Sequence, residues 1–148
     1  MTTQLSSNEV KSVMDALEIL FASINGTGNY NFYLDPQNIV QEFKSLDEIM
    51  SFPYLCLGSA RYTMTQTDQQ SYEVPLEIEV FGYLKRDEGG ESLENGLKFA
   101  SDLERALFSD ETIGGRIYGM NLNFDVVSFD NYVVVGLIIR CSFEYLNQ

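Results

Sequence analysis

The sequence predicts an α+β domain, a two-layer sandwich. Two helices cover one face of a four-stranded, mainly antiparallel sheet made of two hairpins, in the order α-β-β-α-β-β. Three observations lead there. Four runs rich in β-branched and aromatic residues alternate in the period of a strand, and two others place apolar residues at the three-and-four spacing of an amphipathic helix. No inter-domain linker separates them, so the 148 residues read as one domain, residues 1-148.

The first helix runs from Ser6 to Ile24. Val10, Val13, Met14, Leu17, Leu20, Phe21 and Ile24 form its stripe, Ser6 and Glu9 a capping box, and Asn25-Gly26 its stop. Residues 26–52 are the least regular. Tyr30 to Leu34 reads as a short edge strand, and Ser45 to Met50 as one or two helical turns capped by Ser45. Pro53 to Met64 and Tyr72 to Lys85 make the first hairpin, with Pro75 arguing for an edge position or a bulge. Its link, Thr65 to Ser71 (TQTDQQS), reads as a protruding, mobile tip.

A second helix starts at about Ser92 and ends near Ser109-Asp110. Leu93, Leu97, Ala100, Leu103 and Leu107 are its expected buried stripe, and Gly96 either weakens it or lets it approach the sheet closely. The third strand, Arg116 to Phe129, turns through Asp130-Asn131 into Tyr132 to Tyr145 (YVVVGLIIRCSFEY), the longest apolar run of the chain. Register follows from pattern. Val126 meets Val135, Phe124 meets Leu137, Leu122 meets Ile139, Met120 meets Cys141 and Tyr118 meets Phe143. A slip of one residue would bury Asn121, Asn123 and Asp125. A right-handed crossover joins the hairpins.

Composition argues against several functions. The formal net charge of −13 repels nucleic acid, so no grip on a phosphate backbone is expected; the chain could still line a passage through which DNA slides. There is no histidine, and the two cysteines, Cys56 and Cys141, stand singly inside strand-like runs, so neither a metal site, a cofactor site nor a catalytic site is expected. Glu73, Glu77 and Glu79 on a strand and Asp102 and Glu104 on a helix are conceivable as a carboxylate pair, but alternating acids on a strand normally mark its solvated side, and an enzyme is not expected. The amino-terminal residues lack the features of a secretory signal, and no apolar run approaches a membrane span, which points to synthesis in a cytoplasm.

One feature asks for a partner. Val127, Phe129, Tyr132, Val134 and Ile138 fall on the hairpin face opposite the core and make an apolar patch. Either residues 30–52 fold over it, or another subunit does. The tip residues Thr65, Gln66, Thr67, Asp68, Gln69 and Gln70 are a second candidate contact, able to order on binding.

The element order, together with LKFASDLERALFSDETIGGRIYGMNLNFDVVSFD, resembles the tail terminator (tail completion) proteins of long-tailed bacteriophages. The resemblance lies in a helix ending in an acidic pair (Asp110-Glu111), a Gly-Gly step (Gly114-Gly115), and a strand that hairpins back to an aromatic-rich end (Phe143-Glu144-Tyr145). It covers most of Glu73 to Leu146 and, more loosely, the first helix; residues 30–52 lie outside it. The resemblance implies a virion protein without enzymatic activity. It would form a homohexameric ring at the head-proximal end of the tail, stop polymerisation of the tube protein, and offer a joining surface to the neck connector while DNA transits the hole. A head-side connector (head completion) protein of similar fold, or a small α+β ligand-binding or regulatory domain, is the alternative.

Overall fold

The computed structural model describes residues 6–66, 71–86, 90–129 and 131–146. The fold is α+β with two helices, α1 (Ser6–Phe21) and α2 (Ser92–Phe108), and a mixed sheet. Its strands are β1 (Ile39–Val40), β2 (Tyr54–Tyr62), β3 (Thr65–Gln66), β4 (Ser71–Lys85), β5 (Tyr118–Phe129) and β6 (Tyr132–Leu146). The spatial order is β1-β2-β4-β6-β5, with β3 also pairing β4. The four long strands are antiparallel as expected. The expected sheet of four is enlarged by β1, which runs parallel to β2 through Ile39–Leu55 and Val40–Cys56. The edge strand read at Tyr30 to Leu34 is instead a loop touching Asn25 through a single bridge at Tyr33.

Both helices lie on one face, above a core that joins Val13, Leu17 and Phe21 of α1, Phe99, Leu103 and Leu107 of α2, and the inward residues of the sheet. The α1 stripe is the expected one, although the helix ends at Phe21 and Ile24 is buried from the turn that follows. The cap read for Ser6 involves a side chain outside the described residues. In α2 Ala100, Leu103 and Leu107 are buried as expected, but the first half of the stripe is displaced. Leu93 and Leu97 are 53% and 55% exposed, while Ser92, Gly96, Phe99, Leu103 and Ala106 face inward. The cause is Gly96: a Cβ there would come 2.5 Å from Val126 Cγ1 and 2.7 Å from Val133 Cγ1. The bare backbone therefore seats directly on β5 and β6, and the neighbouring leucines turn outward.

Two strand irregularities have chemical causes. Pro75 sits in β4, between β2 and β6, and not at an edge. Thr63 N–H donates to the Pro75 carbonyl (3.4 Å), but proline has no N–H to return. The ladder lapses there, so β2 stops at Tyr62 and β3 resumes at Thr65 in the same register. In the β5–β6 hairpin the pairs Val126–Val135, Phe124–Leu137 and Leu122–Ile139 form as expected, but Tyr118 meets Ser142, not Phe143. One extra residue is inserted between Tyr118 and Asn121, where Gly119 takes φ +68°, a bulge that glycine permits. Asp130 of the expected turn lies outside the described residues.

Candidate functional site

The sheet face without helices carries the candidate site. Residues 41–53 leave β1 and fold back over one end of it. Ile49 joins Tyr54, Cys56 and Tyr83 in a small second core, with Leu46, Phe52, Phe81 and Val134 packed around them. The rings of Phe52 and Tyr132 lie 5.7 Å apart, and those of Phe43 and Phe81 meet edge-on at 5.8 Å. The residues read as helical between Ser45 and Met50 supply a single 3-10 turn, Leu46–Glu48, and Ser45 makes no side-chain cap. Burial pushes the Cys56 thiol and the Tyr83 phenol up from their ordinary values.

The apolar patch is thereby divided. Val134 and Tyr132 are covered by the chain itself, and Ile138 is half-buried. Val127 and Phe129, on edge strand β5, stay 46% and 59% exposed. Of the tip, Thr65 and Gln66 are not part of a free loop: their backbones pair with Glu73 and Tyr72 of β4. Thr67, Asp68, Gln69 and Gln70 lie outside the described residues.

Beyond the covered end the face turns acidic. Glu73 and Glu144 stand directly opposite one another. Glu77 accepts from Arg140 Nε at 3.0 Å and lies 3.9 Å from Arg61 Nη1. The Tyr118 hydroxyl, raised by desolvation and by nearby Glu73, donates to Glu73 at 3.4 Å. Between the two ends is a cleft of about 260 Å³ bordered by Glu79, Phe81, Asn123, Asp125 and Ile138. Its floor is Gly136, which pairs with Phe81 on one side and Asp125 on the other and contributes no side chain. A wider, shallower hollow of about 510 Å³ lies around Arg61, Pro75, Glu77 and Arg140.

Asp102, weighed above as a possible acid, has a different part. It is fully buried and accepts from the backbone N–H of Asn31 (2.9 and 3.1 Å), from Asn31 Nδ2 (3.0 Å) and from the N–H of Phe32 (2.9 Å). It ties the loop before β1 to α2, and Phe32 then packs edge-on against Phe99. A polar residue between Phe99 and Leu103 on an inward helix face was the available signal for such a tie. The second cysteine, Cys141, is buried and its thiol pushed up to about 11, so it stays protonated. Among the described residues no group of three or more His, Cys, Asp or Glu is placed to hold a metal ion, and no helix is long and apolar enough to cross a membrane. What the face offers is a broad surface of acid and aromatic groups bounded by β5, whose outer edge has no pairing strand among the described residues.

No protein-family model matches the chain, and a comparison with curated proteins likewise gives no match.

Proposed function

We propose that the chain is a tail terminator of a long-tailed bacteriophage. Six copies close into a ring at the head-proximal end of the tail, end the growth of the tube, and form the surface that the neck connector joins. The observation that carries this reading is the half-closed second face of the sheet: its own loop seals one end, and the remainder is acidic with apolar Val127 and Phe129 exposed at the edge. Exposed aromatic and aliphatic groups beside an open edge suit a contact between subunits. An acidic wall suits a hole for DNA, because a polyanion moves along it without adhering. Glu73 and Glu144, directly opposed at a cost in strand pairing, make sense on such a wall. Residues 65–70 are then the candidate contact with the neighbouring ring.

The test is a tube-growth assay. Tail-tube subunits polymerise with and without the purified protein, and the ends are viewed by negative-stain electron microscopy. Shortened tubes with a ring on one end are expected. Unchanged lengths and bare ends contradict the reading. Rings bound to head portals and never to tubes favour the head-side connector.

A further inference from the structure

We infer that two copies of this chain join edge to edge, the free stretch of β2 in one pairing antiparallel with β5 of the next, and that Arg61 and Asp125 set the register of that junction. The inference rests on the ring reading, which makes the partner a second copy of this chain; it adds which strands meet and which charges select them.

The β5 edge is the starting point. Among the described residues nothing pairs with its outer side. Proteins blunt such edges with lysine, proline, bulges or a covering segment, because a row of unpaired N–H and C=O groups recruits another strand. β5 has twelve residues and none is Lys, Arg or Pro. The bulge at Gly119 blunts only its first few residues. At the opposite side of the sheet, β1 covers β2 only at Leu55 and Cys56, so among the described residues β2 is open from Ser59 to Tyr62. Each subunit thus has one long open edge and one short open edge.

Direction and facing agree. β2 and β5 run oppositely within a subunit, since three successive antiparallel pairs separate them. Rotation about an axis along the strands preserves that relation, so copies in a ring present the two edges to each other antiparallel. This is a heterologous contact, the kind that closes rings. Arg61 lies on the helix-free face, paired with Glu77, and Asp125 lies on the same face, paired with Gly136. Setting Arg61 opposite Asp125 brings Tyr62 to Phe124 and Ala60 to Val126 on the helix-covered face, and Ser59 to Val127 on the other.

Charge chooses this register. In a chain with 9 basic and 22 acidic residues, most contacts between copies would oppose like charges. Arg61 is a cation available at the β2 edge, with its side chain 80% exposed and Glu77 3.9 Å away, while Glu77 keeps the closer Arg140. Asp125 is the sole charged residue of β5, and its carboxylate has no hydrogen bond or ion pair among the described residues. It borders the Gly136 cleft, which leaves room for a guanidinium next to the Phe81 ring.

The experiment is charge reversal and restoration in the full chain, read by sedimentation velocity over a range of concentrations at near-physiological salt. Arg61→Asp and Asp125→Arg each change an exposed side chain, and circular dichroism checks that the fold is kept. Each single variant is expected to weaken self-association by about ten-fold or more, and the double variant to recover most of the loss. Self-association unchanged by either single variant overturns the pairing, as does failure of the double variant to recover. A wild-type chain that stays monomeric at every concentration also overturns it. The tube-growth assay reads the ring proposal separately, because a terminator assembled through other surfaces would still cap tubes when this pairing fails.

Discussion

Asp102 illustrates how a single carboxylate substitutes for a piece of secondary structure. The loop at Asn31 and Phe32 has no strand partner, and its amide groups are satisfied by one buried side chain on α2. Asp102→Ala leaves those donors without a partner and is expected to lower stability by about 3 kcal/mol, read as a shift in the urea midpoint. A loss under a tenth of that would mean that water or a neighbouring group replaces the carboxylate. Asp110 organises a second loop. Its carboxylate is held below its ordinary value of 3.8 chiefly by the Gly114 N–H (2.7 Å), then by the Thr112 hydroxyl and further backbone N–H groups. Because the folded value is the lower one, its contribution is complete above 3.8 and is lost as pH falls through the folded value. The protection of the Gly114 amide against hydrogen exchange, taken relative to the intrinsic rate at each pH, should therefore fall on acidification below that point in the wild type. In Asp110→Asn protection should be lower throughout and insensitive to the same pH change; an identical acid response in both would refute this role for the carboxylate.

The helices and strands were legible where burial alone decides. The α1 stripe and the β5–β6 register from Leu122 to Phe129 follow from period and pattern, since any slip would bury Asn123 and Asp125. What pattern could not convey was a contact made by an absent side chain. Leu93 and Leu97 have the right spacing for the α2 stripe, yet Gly96 takes the place against Val126 and Val133. Gly96→Ala gains helix propensity but forces a methyl into that contact. A net loss of about 1 to 2 kcal/mol in thermal or urea unfolding is expected. Combining it with Val126→Ala should recover part of the loss, and strictly additive effects would show that the two residues do not meet. The two-residue β1 escaped for a related reason: a parallel edge strand so short carries no period. Pro75 was informative in kind but not in place, for the interruption it imposes falls inside the sheet, between β2 and β3, without moving β4 to an edge.

Across the whole molecule the division is between a sealed face and an open one. Two helices close one side of the sheet, and residues 41–53 close only the Tyr83 end of the other. Of the patch read from sequence, Tyr132 and Val134 answered to the chain's own loop, while Val127 and Phe129 remained exposed. The sequence could not divide them, because residues 41–53 have too little pattern to reveal where they return. An acidic open face, a β5 edge blunted only near Gly119 and an exposed arginine on the opposite edge are what support the proposed assembly. A three-dimensional reconstruction by electron microscopy of tail tubes capped with this protein tests that account. The expected result is a six-fold ring in which β2 of each subunit abuts β5 of the next and Glu73, Glu77, Glu79 and Glu144 face the hole. A ring whose inner wall is basic or built from the helices, or tube ends bearing no ring, would contradict it.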